Sequence, residues 1–231
     1  MSPEIISQSM SSLGLMVRGG FHPTPSDGVP EFPSGEPVAT VMMVGNAGPA
    51  MWQMFSRAPE RSLKVDPLNT WTRRVIDETI PRMNALAIYP FDGPPYYPFQ
   101  RWAQRADSVW SSPIGILIHP EYGLWHGYRA ALLFKEHLSI NAPVGLSKPC
   151  EQCAQQPCLT TCPVNAFSAD GYDVKRCVEH ISTDVGSDCI SRGCRARRSC
   201  PVGADFCYDS PQADFHQRAF LRSHKRPQVN S

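Results

Sequence analysis

Eight cysteines fall in two ordered sets late in the chain: Cys150-x2-Cys153-x4-Cys158-x3-Cys162-Pro163 and Cys177-x11-Cys189-x4-Cys194-x5-Cys200-Pro201. The 149 residues before Cys150 contain none. Thiolate sulfur is soft and accepts charge delocalised from iron, which suits these residues to iron–sulfur clusters. A four-iron cube needs four thiolates arriving from several directions. Closely spaced cysteines in a loop can wrap three corners, and a remote cysteine closes the fourth. Structural zinc and disulfides compete for the same residues. Disulfides suit a secreted chain, whereas clustered thiols in a reducing compartment read as metal ligands. Ribbon-type zinc presents paired C-x2-C knuckles, and Cys150 with Cys153 is the one such pair here. The two Cys-Pro ends favour iron–sulfur.

In two-cluster ferredoxins the cysteine before the proline serves the other cluster. Applied to this chain, that rule predicts two 4Fe-4S clusters. One takes Cys150, Cys153, Cys158 and Cys200; the other takes Cys177, Cys189, Cys194 and Cys162. The x4, x11 and x5 gaps are wider than the ferredoxin spacing and predict loop insertions around the clusters. Cys207 is left over, as a small buried residue or a spare thiol. Arg192, Arg195, Arg197 and Arg198 surround the second set. They read either as a solvated basic face, or as charge compensation and a docking face for an acidic electron donor.

The elements that must hold these cysteines start from a chain of 231 residues, long enough to bury a core without disulfides. A net charge of +1 gives no basic footprint and predicts no nucleic-acid partner. The opening "MSPEIISQSMSSLGLMVRGG" has no basic start followed by an apolar run, and no stretch approaches a membrane span. The expectation is a cytoplasmic protein without a membrane partner. Residues 3–17 have helical potential and end at Gly19-Gly20, a plausible C-cap. "HPTPSDGVPEFPSGEP" (22–37), with five prolines, is a loop. "VATVMMVG" (38–45) predicts a buried strand and 66–80 a helix. "ALAIYPF" (85–91) and "IGILI" (114–118) predict two more strands, and "YRAALLF" is apolar enough to be buried as strand or helix. "GNAG" after the first strand lacks the spacing of a phosphate loop and reads as a plain turn. Residues 141–149 form the seam into the cysteine region.

Residues 96–134 carry a second signal: Tyr96, Tyr97, Gln100 and Arg101, then "IHPEYGLWHGYRA" before an apolar strand. This ordered set resembles the heart of the MMACHC (CblC) type of cobalamin-processing protein, although the family's Gly after its arginine is Ala130 here. "DVKRCVEHIS" with "GC…CP" is similar to the dicluster ferredoxin module of epoxyqueuosine reductase and of reductive dehalogenases. Neither the C-terminal repeats of the former nor the leader of the latter is present in this sequence, so neither substrate transfers directly.

The resemblance implies an α+β protein: a nitroreductase-like α/β cobalamin-binding domain over 1–145, then a small two-cluster ferredoxin-like domain over 146–231. It implies that Tyr97, Gln100, Arg101, His119, Pro120, Gly123, Trp125 and Arg129 bind cofactor. Arg129 matches an arginine associated with glutathione in the family. The implied cofactors are cobalamin and flavin beside the clusters. The implied partners are cobalamin and an external donor such as flavodoxin, ferredoxin or a reductase. The activity expected is reduction of cob(III)alamin, which could extend to removal of its upper ligand; the alternatives are a ferredoxin-type electron-transfer protein without corrin and a cobalamin-dependent reductase of an organic substrate. No D-x-H-x-x-G is present to supply a lower ligand, which predicts weakly ligated, base-off cobalt. At least half of the aromatic residues between Tyr96 and Tyr128 are expected to be core, and His119 and His126 to be structural.

Overall fold

The computed structural model describes residues 3–140, 145–168 and 171–225. Residues 141–144 of the expected seam lie outside these. In chain order the first half carries helix α1 (Pro3–Ser11), strands β1 (Met16–Phe21) and β2 (Thr40–Ala47), and helices α2 (Ala50–Phe55) and α3 (Pro67–Asp77). Then come β3 (Leu86–Ile88), α4 (Phe99–Ala106), β4 (Trp110–Ser111), β5 (Leu117–Ile118) and β6 (His126–Phe134). The cysteine half adds α5 (Pro157–Thr160), the paired strands β7 (Phe167–Ser168) and β8 (Gly171–Tyr172), α6 (Val174–Ile181), α7 (Ser187–Ser191), α8 (Arg195–Arg198) and α9 (Ser210–Lys225). Helices beside antiparallel strands make this an α+β protein. Among the described residues, no helix is long and apolar enough to cross a membrane.

The chain divides into two compact units. One comprises residues 1–109 with 126–146; the other comprises 110–125 with 147–231. One boundary falls near 146, and the stretch 110–125 packs with the cysteines rather than with the residues just before it.

In the first unit the sheet order is β1-β2-β6-β3, antiparallel throughout. β2 is buried from Thr40 to Asn46, which is why "VATVMMVG" reads as a continuous apolar run. "YRAALLF" becomes a strand because β6 is paired on both sides, with β2 and β3, and Ala130–Phe134 are buried between them. Gly19-Gly20 does not cap a helix: α1 stops at Ser11, and both glycines lie in β1. The end of α4 lies directly on this strand. A Cβ on Gly19 (φ +78°) would stand 1.9 Å from the Ala106 carbonyl oxygen, so only glycine fits. Trp102, fully buried on α4, anchors the core with Phe21, Val41, Met43 and Leu133, and its Nε1 donates to the Asp27 carbonyl at 2.9 Å. Burial of such a ring is worth about 2–3 kcal/mol.

In the second unit the expected strand "IGILI" shrinks to Leu117–Ile118. The Gly115 N–H donates to the Ser112 carbonyl at 3.0 Å, and this turn takes up the first residues of the run. His119 and Gly123 then exchange N–H···O bonds of 2.9 Å each, closing a tight turn. Ile114, Ile118 and Leu124 from this stretch form one small core with Ala196 and five of the cysteines. A second core joins Ile181, Cys189 and Ile190 to Cys177, Phe220 and Leu221.

Candidate functional site

Short turns and short helices present the thiols. Pro149 and Pro157 open two of them at the first helical position, where a missing N–H costs nothing. Cys150 and Cys153 lie on the first, and Cys158 on α5. Cys200 follows α8, and α5 packs on α8. Cys150, Cys153, Cys158 and Cys200 line one cavity, walled by Ile118, Leu124, Pro201 and Val202. Burial and then the like charges of Cys200, Cys158 and Cys153 push the Cys150 thiol up to about 11. Burial and then Cys200 and Cys153 raise Cys158 as well.

The remaining four make a second quartet. Cys177, on α6, is raised by burial and by Cys162 and Cys189, against a hydrogen bond from Tyr172 that lowers it. Cys194, at the head of α8, is raised by burial and by Cys177 and Cys189. Cys162, Cys194, Cys150, Cys158 and Cys200 also share one small core with Ile118 and Leu124.

These groups fit iron–sulfur clusters by their chemistry. All eight are free thiols. Backbone N–H groups are aimed at several sulfurs, with Ala166 N–H donating to Cys162 Sγ at 3.3 Å, Arg197 and Ala196 to Cys194, and Val202 to Cys200. Such donors are one of the levers that set cluster potentials. Thiols with raised pKa hold their protons until a metal displaces them, so loading releases protons. Among the described residues, no group of three or more His, Cys, Asp or Glu is placed to hold a single metal ion. Cys207 is an exposed free thiol, which excludes the buried alternative and leaves the spare thiol.

The arginines around the second set have separate tasks. Arg192, Arg195 and Arg198 all pair with Asp188, at 3.6 and 2.7 Å for the first two. The hydrogen bond from Arg195, with Arg198 beside it, holds the Asp188 carboxyl below its usual range. Arg197 turns inward. Its Nε and Nη2 donate to the Leu124 carbonyl at 3.1 and 2.6 Å, and its guanidinium lies 4.5 Å from the Trp125 ring and 4.6 Å from that of Tyr208.

The residues expected to bind cofactor separate between the units. In the cysteine unit, His119 Nδ1 accepts from the Glu121 and Tyr122 N–H groups at 3.1 and 3.2 Å, and its ring stacks on Tyr122 at 4.3 Å. Gly123 packs on the Val202 backbone. Trp125, 2% exposed, is clamped by Arg197 and Tyr208. Pro120 lines an open cleft of about 690 Å³ that also borders Cys153, Gln152, Gln155 and Ser199, with no charged side chain in its wall. In the other unit, Tyr97 stacks on Trp102 at 5.7 Å, Gln100 and Arg101 are exposed, and Arg129 Nη2 donates to Asn69 Oδ1 and Thr72 Oγ1 at 3.0 and 3.1 Å.

Two features escaped the sequence reading. Arg18, 3% exposed in β1, donates through Nε to Asp107 Oδ2 at 2.9 Å, and the Tyr128 hydroxyl donates to the same oxygen at 2.9 Å. Burial raises the Tyr128 hydroxyl well above its usual value; the Arg18 charge pulls it down, and the charge and hydrogen bond of Asp107 push it up. A lone arginine within "LGLMVRGGF" was the available signal. The other feature is Tyr172, whose ring stacks on that of Phe167 at 4.7 Å.

The described residues form an α+β chain whose cysteines lie in the same unit as part of a CblC-like motif. No family model matches the chain. Over its length it shares a fold with the B12-trafficking protein CblC of C. elegans, with TM-score 0.53 and 13% identity across 99% of this chain and 97% of that one. In sequence it is 28% identical over 134 residues to the epoxyqueuosine reductase of Vibrio cholerae, a match covering 52% of this chain and 34% of that protein. The matched part is thus about a third of the curated relative's length. An epoxyqueuosine reductase solved with a modified tRNA-Tyr stem loop aligns at TM-score 0.46 and 15% identity, over 94% of this chain and 67% of that one. The chain resembles both kinds of protein, as its two motifs implied.

Proposed function

We propose that this protein is an iron–sulfur oxidoreductase that binds cobalamin and reduces cob(III)alamin. One observation carries the reading. The part of the CblC-like motif from Ile118 to Trp125 folds as part of the cysteine unit, and its Ile118 and Leu124 wall the cavity of Cys150, Cys153, Cys158 and Cys200. The clusters, when bound, supply electrons one at a time, and cob(III)alamin takes one to become cob(II)alamin. An external flavodoxin, ferredoxin or reductase replaces that electron. The chain's own residues hold and insulate. Cys150, Cys153, Cys158 and Cys200 hold one cluster; Cys162, Cys177, Cys189 and Cys194 hold the other. His119, Gly123 and Trp125 fix the turn against the first quartet. Within the first unit, Tyr97, Gln100, Arg101 and Arg129 are the proposed contacts to the corrin; Pro120 lines the open cleft of the cysteine unit.

A second reading, cobalamin-dependent reduction of an organic substrate, draws on the sequence match to epoxyqueuosine reductase. Anaerobic titration of the reconstituted, reduced protein with cob(III)alamin separates the two, followed by visible and EPR spectroscopy, with flavin and a tRNA stem loop as further arms. The proposed function requires one cob(II)alamin formed per electron lost from the clusters. A corrin spectrum that never changes would remove it. Tight stem-loop binding with corrin reduced only in its presence would favour the second reading.

A further inference from the structure

The cavity of Cys150, Cys153, Cys158 and Cys200 is walled mainly by Ile118, Leu124, Val202 and prolines. Besides the thiols, two polar side chains complete its lining, Gln156 and Ser112. Ser112 is 9% exposed, and its Oγ is enclosed without a hydrogen-bond partner among the described residues. The backbone of Ser112 is already committed. Its N–H donates to the Ile116 carbonyl, and its carbonyl accepts from the Gly115 N–H, each at 3.0 Å. The turn after β4 therefore holds this residue in the cavity wall and leaves its hydroxyl only rotation about χ1. A buried hydroxyl without an acceptor is costly, and one kept in a native fold calls for a partner that binds beside it.

We infer that the Ser112 hydroxyl donates a hydrogen bond to the cluster held by Cys150, Cys153, Cys158 and Cys200, and so raises its reduction potential. This rests on the two-cluster reading above. Loading brings sulfur into the cavity as the missing acceptor. Reduction adds one electron to the cluster, and the proton stays on Oγ throughout. A hydrogen-bond donor to sulfur stabilises the more negative, reduced form more than the oxidised form, which raises the potential. The mostly apolar wall strengthens the bond by keeping the local dielectric low. Ser112 is then a positioning residue for charge: it sets how firmly the first cluster holds its electron.

Ser112→Ala removes the donor and little volume. Full-length reconstituted protein is titrated anaerobically under EPR, with dithionite, itself oxidised to sulfite, passing one electron to each cluster through viologen mediators. The signal missing from Cys150→Ala protein identifies the first cluster. Loss of the donor should lower the equilibrium constant for its reduction about tenfold, which is about 59 mV for a one-electron couple. The other midpoint should stay at its wild-type value. Ser112→Thr keeps the hydroxyl and should keep the wild-type midpoint. An unmoved first-cluster midpoint in Ser112→Ala overturns the inference, as does a shift that Ser112→Thr shares. Loss of the first cluster from Ser112→Ala overturns it too, because a tuning donor is not needed for the cluster to form. Each of these leaves the two-cluster reading standing. Wild-type protein without two reduced-cluster signals overturns that reading and the inference with it.

Discussion

Gly123→Ala separates two roles for one residue. By resemblance Gly123 belongs to a corrin pocket; in the structure its α-carbon lies against the Val202 backbone. At φ +55° an added Cβ would stand 1.9 Å from the Val202 carbonyl oxygen and 2.6 Å from its carbon, where ordinary contact begins at 3.4 Å. The facing residue is also a tightly held glycine: a Cβ on Gly203 would stand 2.3 Å from the Tyr122 carbonyl carbon. Both neighbours are backbone, so no flexible side chain can yield. The left-handed conformation costs alanine about 1–2 kcal/mol, and forcing packed groups apart costs about 1–3 kcal/mol more. A loss of that size lowers the melting temperature by on the order of 10 °C. Val202 follows Cys200 and Pro201, so the displacement reaches the thiol that closes the first quartet. The variant should lose one of two cluster signals and the iron that goes with it, measured by metal analysis, calorimetry and EPR. Gly123→Ala protein with full iron and an unchanged melting temperature, impaired only in cobalamin binding, would refute this reasoning.

Cys200→Ala and Cys162→Ala should each abolish one EPR signal and spare the other, with Cys200 grouped with Cys150 and Cys162 with Cys177. If Cys200→Ala and Cys177→Ala remove the same signal, the crossed grouping is wrong. Arg197→Ala should cost about 1.5–3 kcal/mol through its charged hydrogen bonds to the Leu124 carbonyl, seen in thermal melts. Arg197→Lys should recover little, because an ammonium cannot reproduce the guanidinium fork or its ring contacts. The hydrogen bond from Arg74 holds Glu60 below its ordinary 4.5. A folded value below the unfolded one gives stability that is full above about pH 4.5 and lost as pH falls through the folded value. Glu60→Gln should therefore melt earlier than wild type at pH about 7, and the gap should close in acid; a gap independent of pH contradicts the pairing.

Cysteine order and the following prolines are local signals; that Cys150 and Cys200, fifty residues apart, line one cavity is a tertiary fact. The strand "VATVMMVG" was legible because a strand covered on both faces leaves an uninterrupted apolar run. β1 was not, because Gly19-Gly20 looks like helix punctuation; the glycine there serves the approach of α4, which no local pattern encodes. The membership of 110–125 in the cysteine unit was hidden for the same reason: Ile118 and Leu124 look like ordinary core until Cys150 and Cys200 appear beside them. Four arginines in one run suggested one face, but three share Asp188 and one clamps Trp125. Of the aromatic residues between Tyr96 and Tyr128, Trp102 and Trp125 are deep core while Tyr96 is 66% exposed, a difference that depends on tertiary packing.

The central claim is that electrons from clusters held by these thiols would pass to cobalt. The direct measurement is a single-turnover anaerobic reaction of the fully reduced protein with cob(III)alamin, monitored by EPR. The account expects cluster signals to fall as a cob(II)alamin signal rises, one spin for one spin. Clusters that stay reduced in the presence of excess cob(III)alamin, with no cob(II)alamin formed, would contradict it.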